Sequence, residues 1–184
     1  MKVLIVGGVA GGATTAARLR RLDENAEIVI FEKSGYISYA NCGLPYYLGG
    51  VIAQRERLVV TRPETFKNNF NIDVRVHNEV VAIDRDQKRV EVLNLQDGSK
   101  YHETYDKLVL SPGAYPRRLN IEGENTEGVF FLRNVENTIE IDEYIIREDP
   151  ARAVVVGAGF VGVEMAENLH ERGLSVSMVE FAPQ

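Results

Sequence analysis

The chain has 184 residues and a formal net charge of −6, which leaves no basic field that would attract phosphate backbones or anionic lipid. We therefore expect neither nucleic acid nor a membrane surface as a partner. The apolar run after Lys2 is too short for a signal peptide or a membrane span, and a single cysteine excludes an internal disulfide. These features favour a cytoplasmic protein.

The chain begins with a predicted strand, glycine turn and helix. Val3–Val6 is apolar and mostly β-branched, glycines follow it, and a helical pattern runs over Gly11–Leu22. Ile28–Phe31 is a second apolar strand, which ends at Glu32. A strand–helix–strand unit of this kind requires parallel pairing and a right-handed crossover.

Alternation of apolar and polar residues replaces this pattern after Val76. The alternating stretches are Glu79–Asp84, Arg89–Leu95 and Ser99–Tyr105, and short turns separate them. They predict an antiparallel β-meander. The strand Lys107–Leu110 then ends at a Ser-Pro-Gly sequence, so we expect the first domain to span residues 1–113.

The remaining residues, 114–184, repeat the order of strand, turn, helix and strand. A helix is predicted at Asn134–Arg147, and it is followed by strand Ala153–Val156, helix Val163–Arg172 and strand Ser175–Val179. A complete dinucleotide-binding fold has more strands than this. The predicted fold class is therefore α/β: a doubly wound first domain with an antiparallel meander, then a truncated Rossmann-like domain.

The second glycine turn carries the pattern GxGxxG at Gly157, Gly159 and Gly162. These glycines permit the tight turn, the approach of the backbone to a pyrophosphate and the close packing of helix on strand. Glu180 lies 18 positions after Gly162 (180 − 162), where an acid binds ribose hydroxyls and disfavours a 2′-phosphate. The pattern predicts an NAD(P)H site that prefers NADH; the alternative is a structural turn without a ligand.

The first glycine turn is less regular. Gly7, Val9 and Gly12 place a valine where the second glycine of the pattern is expected. Glu32 nevertheless follows Gly12 by 20 positions (32 − 12), where it can accept a hydrogen bond from a ribose hydroxyl. Two such turns indicate two dinucleotides, although a purely structural turn is again the alternative.

Cys42 lies in the segment SYANCGLPYYLGG. A lone cysteine is more often an inert buried residue than a nucleophile. Here Ser38 and Asn41 precede it and Gly43 and Pro45 follow it, and such neighbours are unusual for a cysteine that only fills a core. A helix that begins near Cys42 would favour the thiolate, so we predict that Cys42 is catalytic.

Four segments together resemble the pyridine nucleotide-disulfide oxidoreductases of the coenzyme A disulfide reductase and NADH oxidase group: GGVAGGATTAARLRRL, SYANCGLPYY, YDKLVLSPGA and VVVGAGFVGVEMAENLHERG. The resemblance extends along nearly the whole chain. It implies an enzyme in which NAD(P)H reduces FAD and electrons pass to Cys42 and then to coenzyme A disulfide, a persulfide or a related small-molecule sulfur substrate.

Dithiol members of this family carry CxxxxC, and Tyr47 occupies the second position here. Cys42 would therefore form a mixed disulfide or persulfide with an outside sulfur, or cycle through a sulfenic acid. The sulfenic acid corresponds to the alternative function, an NADH oxidase or peroxidase. A further alternative is a flavin-binding module without catalysis.

The resemblance also assigns individual contacts. FAD contacts are implied at Gly7, Ala10, Gly11, Gly12, Glu32, Lys33, Ser111, Pro112 and Gly113. Coenzyme A contacts are implied at Thr14, Arg18, Arg21, Ser38 and Asn41, and the first three of these share one helical face. Without the resemblance, the preferred interpretation of the two arginines is a basic helix face that is exposed to solvent.

Two further residues match positions near the nicotinamide. Phe160 matches an aromatic residue that covers the flavin until NADH arrives, with core packing as the alternative. Glu164 matches a residue near the nicotinamide ring, and the alternative is an acidic residue in the first turn of a helix. The three histidines lack ligand spacing, so no metal site is predicted. The resemblance also implies a homodimer and regions that this chain does not contain, so we expect that catalysis needs more than these 184 residues.

Overall fold

The computed structural model describes residues 1–183, which form two compact units. The first unit comprises Met1–Tyr39 and Val59–Ala114, and the second comprises Ala40–Leu58 together with the chain from Tyr115 onward. The segment that carries Cys42 thus packs with the second unit, although it lies inside the predicted first domain. None of the helices in residues 1–183 combines the length and apolar character that crossing a bilayer requires.

The elements agree closely with the predicted strands and helices. In chain order they are β1 (Lys2–Val6), α1 (Ala10–Leu22), β2 (Glu27–Glu32), α2 (Gly43–Leu48), a 3₁₀ helix (Arg55–Leu58), α3 (Pro63–Phe70), β3 (Asp73–Val76), β4 (Asn78–Asp84), β5 (Arg89–Asn94), β6 (Lys100–Thr104), β7 (Lys107–Leu110), α4 (Val135–Glu148), β8 (Arg152–Val156), α5 (Phe160–Glu171) and β9 (Ser175–Val179). The sequence did not predict α3 and β3. Both are short, and β3 becomes a strand because it pairs with β2.

The first unit is built on a parallel sheet with strand order β3-β2-β1-β7. Parallel pairing of β1 with β2, as predicted, is confirmed: Val3 lies opposite Ile28, and Ile5 lies opposite Ile30. Side chains of successive residues point to opposite faces of a strand. Both faces of β1 and β2 are buried, which explains their continuous apolar runs.

Different layers cover the two faces of this sheet. Ala13 and Ala16 of α1 and Phe66 of α3 pack against one face. Val90 and Val92 of β5 pack against the other. The antiparallel meander β4-β5-β6, as predicted, is confirmed, and it covers the face that helices would cover in a fully doubly wound sheet.

The second unit joins three helices to the parallel pair of β8 and β9. Its core contains Leu48 of α2 together with Ile141 of α4 and Met165 and Leu169 of α5. The predicted second strand–helix–strand unit is therefore confirmed. Because α2 contributes a fully buried leucine to this core, the helix that follows Cys42 is part of the second unit.

Candidate functional site

The first glycine turn joins β1 to α1 and permits only glycine at two positions. Gly7 has a φ of +95°, and a Cβ at this position would overlap the carbonyl oxygen of Ser111. A Cβ at Gly12 would overlap the carbonyl oxygen of Gly7. The start of α1 therefore lies directly on the end of β1, next to the residue that follows β7.

The second glycine turn has the same construction between β8 and α5. Gly157 has a φ of +103°, and a Cβ on Gly162 would overlap the Gly157 carbonyl oxygen. No atom of the described residues lies within 4 Å of a Cβ built on Gly157 or Gly159. This open space is what the backbone approach to a pyrophosphate requires.

An acidic side chain secures each turn. Glu32 accepts a hydrogen bond from Gly8 N at 2.7 Å, and Glu180 accepts one from Ala158 N at 2.6 Å. Each carboxylate accepts a second bond from a backbone N–H two residues further along the chain. The bonds from the backbone at Ala182 and Ala158 lower the pKa of Glu180. A carboxylate oxygen has a further lone pair, so these bonds leave capacity for a ribose hydroxyl.

The helices after both turns begin without a capping side chain. Val9 precedes α1 and Gly159 precedes α5, and neither helix has an acidic residue in its first turn. In contrast, Asn134 precedes α4 and caps it, because its side chain accepts a hydrogen bond from Asn137 N at 2.9 Å. The first N–H groups of α1 and α5 are therefore suited to an anionic ligand such as a pyrophosphate.

The other residues predicted to contact FAD surround the first turn. Ala10 and Gly11 are exposed at the start of α1, and the Ser111 hydroxyl lies 3.0 Å from the position of a Cβ on Gly11. Pro112 and Gly113 follow Ser111 and are exposed. Lys33 is also exposed, and its ammonium group forms an ion pair of 2.9 Å with Glu79. Residues predicted to contact FAD therefore lie both at the start of α1 and in the segment that follows β7.

Cys42 is exposed and is the residue that immediately precedes α2. The helix predicted near Cys42 is therefore present, although it has only six residues. Asn41 is exposed beside it, and the Arg133 guanidinium lies 3.5 Å from the Asn41 side-chain oxygen. The thiol thus has the solvent access that a reaction with an outside sulfur requires.

The helix after Cys42 contacts the helix after the second turn. The Tyr46 hydroxyl donates a hydrogen bond of 3.4 Å to Glu164 of α5, and the negative charge of Glu164 raises the pKa of Tyr46. Phe160 at the start of α5 is 96% exposed, so its alternative interpretation as a core residue is wrong for the described part of the chain. The second unit therefore joins the Cys42 helix to the residues predicted to lie near the nicotinamide.

The predicted coenzyme A contacts occur in both units. Thr14, Arg18 and Arg21 are exposed along α1, and Ser38 lies in the same unit. Asn41 belongs to the second unit. Sequence reasoning missed Tyr46 as a partner of Glu164, although its position one helical turn after Cys42 was a usable signal. Within residues 1–183, no cluster of three or more His, Cys, Asp or Glu side chains is arranged to hold a metal.

Comparison with known proteins gives consistent matches. The family described as pyridine nucleotide-disulphide oxidoreductase matches residues 1–184. A coenzyme A disulfide reductase from Staphylococcus haemolyticus is 44% identical over 178 residues, which are 97% of this chain and 40% of that protein. The chain therefore spans about two fifths of the length of such relatives.

This chain is also similar in fold and sequence to solved structures of related enzymes. Reduced CoADR-RHD from Bacillus anthracis matches with a TM-score of 0.96 and 51% identity, over 98% of this chain and 33% of that one. A NAD-dependent persulfide reductase from A. fulgidus matches with a TM-score of 0.92 and 40% identity, over 97% and 33%. A water-forming NADH oxidase from Lactobacillus brevis, bound to NADH, matches with a TM-score of 0.91 and 31% identity, over 98% and 39%.

Proposed function

Since this chain belongs to the pyridine nucleotide-disulphide oxidoreductase family, we propose that the whole protein passes electrons from NADH through FAD to Cys42 and on to a sulfur substrate. The observation that carries the proposal is the exposed thiol of Cys42, the one cysteine among these 184 residues, which immediately precedes a helix that contacts α5. The similarity to a coenzyme A disulfide reductase and to a persulfide reductase favours coenzyme A disulfide or a persulfide as substrate.

The two glycine turns fit the two dinucleotides of this proposal. The turn Gly7–Gly12, with Glu32 on the ribose, would hold FAD, and the turn Gly157–Gly162, with Glu180 on the ribose, would hold NADH. The uncapped helix starts and the open space at Gly157 and Gly159 support this assignment. Bound FAD supplies a two-electron carrier between the nicotinamide and the sulfur.

Cys42 would act as the nucleophile toward the substrate. Its thiolate attacks one sulfur of coenzyme A disulfide, forms a mixed disulfide and releases one coenzyme A thiolate. Two electrons that originate from NADH then cleave the mixed disulfide, release the second coenzyme A and restore the Cys42 thiolate. In sum, NADH, one proton and one disulfide give NAD⁺ and two thiols.

The proposal is tested with the protein expressed from its complete gene, by following NADH absorbance without oxygen. We expect NADH consumption that depends on added coenzyme A disulfide or persulfide and yields two thiols per disulfide. No anaerobic consumption with either substrate would overturn the proposal.

A second candidate is an NADH oxidase or peroxidase that uses a Cys42 sulfenic acid. The similarity to the water-forming NADH oxidase favours it, and the exposed thiol is compatible with oxidation. This candidate requires that NADH consumption starts only when oxygen or peroxide is admitted. A yellow protein without NADH turnover under either condition would indicate a flavin-binding module.

Two further properties belong to the same proposal. An exposed single thiol persists in a reducing compartment, which supports a cytoplasmic location. A homodimer is proposed on the family resemblance. Cell fractionation and light scattering of the protein from its complete gene test these two points.

A further inference from the structure

The helix after Cys42 is too short to define its own orientation. Isolated helices shorter than about 12 residues are marginal in water, and α2 has only six residues. The orientation of α2, and therefore of Cys42 at its amino end, must be set by contacts with the rest of the second unit.

A cluster of three side chains holds the carboxyl end of α2. Arg172, which follows α5, donates from Nη1 to the Leu48 carbonyl oxygen at 2.8 Å and to Asp142 Oδ1 at 2.6 Å. The other carboxylate oxygen of Asp142 accepts from the Tyr47 hydroxyl at 3.1 Å. One carboxylate on α4 thus joins α2 to the end of α5. A cation at the last carbonyl of a helix is also electrostatically favourable.

These bonds are partly shielded from water. The side chains of Arg172 and Asp142 are 20% and 17% exposed. Burial and the neighbouring Asp142 charge raise the pKa of Tyr47, so its hydroxyl stays protonated as a donor. Charge-assisted bonds of this kind are stronger than bonds between neutral groups.

The backbone around the cluster leaves little room for movement. Leu48 is fully buried in the core of the second unit. A Cβ on Gly49 would overlap the side-chain oxygen of Asn168 in α5. The carboxyl end of α2 therefore packs directly on α5.

We propose that Tyr47, Asp142 and Arg172 form a positioning cluster that sets the direction in which Cys42 faces its substrate. At a rise of about 1.5 Å per residue, α2 is about 9 Å long, so a tilt of roughly 10° about its held end moves Cys42 by about 1.5 Å. A displacement of about 1 Å can reduce the rate of an aligned reaction by as much as about 100-fold. The proposal rests on the proposed function, because it concerns the attack of Cys42 on a disulfide.

The test uses the 184-residue chain, in which Cys42 is the only thiol. Mass spectrometry measures the rates at which Cys42 forms a mixed disulfide with coenzyme A disulfide and with hydroxyethyl disulfide. The ratio of the first rate to the second reports how well Cys42 is aligned with coenzyme A disulfide. We expect Tyr47→Phe and Asp142→Asn to lower this ratio by about fivefold or more. We also expect faster amide hydrogen exchange in α2. Tyr47→Phe keeps the ring, so the variant should remain folded.

Tyr105→Phe is the matched control, because it removes a tyrosine hydroxyl from a half-buried ring in the first unit. It should leave both measurements unchanged. Wild-type ratio and wild-type α2 exchange in both cluster variants would overturn the positioning role. A wild-type chain without preference for coenzyme A disulfide would overturn the proposed substrate instead, and the exchange of α2 amides in the variants would then decide the role of the cluster.

Discussion

We assign different roles to Gly159 and Gly162 in the second turn. Substitution of each by alanine should distinguish the two roles. Gly162→Ala would force a Cβ onto the Gly157 carbonyl oxygen, so it should lower both the melting temperature and NADH affinity. Gly159→Ala meets no atom within 4 Å, so it should leave the melting temperature unchanged and weaken NADH binding by about tenfold, or about 1.4 kcal/mol. Thermal unfolding and NADH titration check both variants. Equal melting temperatures for the two would contradict the assigned packing role of Gly162.

Glu180 should decide between NADH and NADPH. Backbone bonds at Ala182 and Ala158 lower the pKa of Glu180, so its carboxylate is charged at neutral pH and repels a 2′-phosphate. Glu180→Gln should raise NADPH affinity relative to NADH, whereas Glu167→Gln, an exposed change on α5, should not. The preference of the wild type should hold while the carboxylate is charged and weaken as pH falls through the lowered pKa. Titration of the wild type with NADH and with NADPH at several pH values measures this preference. A wild type that binds NADPH more tightly than NADH would refute the role of Glu180.

Arg20 connects two elements of the first unit, the ends of α1 and α3. It is 9% exposed and donates to the carbonyl oxygens of Phe70, Asn71 and Glu24 at 2.7, 2.9 and 2.6 Å. Arg20→Met leaves these carbonyls without their donor and should reduce the free energy of unfolding by about 2–4 kcal/mol. Urea denaturation measures the loss. Arg21→Met, an exposed change in the same helix, should cost less than about 0.5 kcal/mol, and similar costs for the two would contradict the connecting role.

A carboxylate on β6 links three strands of the first unit. Glu103 accepts from Lys2 of β1 and, at 2.6 Å, from Arg75 of β3. Burial alone would raise the pKa of Glu103, but the bonds from Lys2 and Arg75 outweigh burial and lower it. A lowered folded-state pKa means that the stabilisation is complete above the unfolded-state value of about 4.3 and is lost as pH falls through the folded-state pKa.

Glu103→Gln should therefore reduce the free energy of unfolding clearly at pH 7 and much less near pH 3. Denaturant unfolding at the two pH values gives the comparison. Asp86→Asn, in an exposed turn, should show no such difference. A loss of equal size at both pH values would show that charge at Glu103 is unimportant.

Residues 1–184 contain one thiol, so the sulfur chemistry of this part of the protein depends on Cys42. In the protein from the complete gene, Cys42→Ser should abolish sulfur-substrate reduction while flavin reduction by NADH persists, because a serine hydroxyl forms no mixed disulfide at neutral pH. Stopped-flow absorbance should show flavin bleaching with NADH and no thiolate-to-flavin charge-transfer band. Wild-type turnover with coenzyme A disulfide or persulfide in this variant would make Cys42 structural.

Signals that lie within a few residues of each other were sufficient to predict much of the fold. The turns at Gly7–Gly12 and Gly157–Gly162, the parallel pairing after each and the meander could all be predicted. The strand β3 could not, because four residues gain strand character only by pairing with β2. The membership of Ala40–Leu58 in the second unit was likewise missed, since it depends on Leu48 packing with residues about 100 positions away.

The sequence by itself determined the family, the two glycine turns and Cys42 as the candidate nucleophile, because each of these rests on residue types at short spacing. Only the tertiary structure decided how Glu32 and Glu180 secure their turns, that Phe160 is exposed, and which side chains hold the Cys42 helix. The bonds among Tyr47, Asp142 and Arg172 connect residues 30 to 95 positions apart. Such contacts leave no periodic trace in a sequence, because they depend on how three helices pack rather than on the propensity of any one of them.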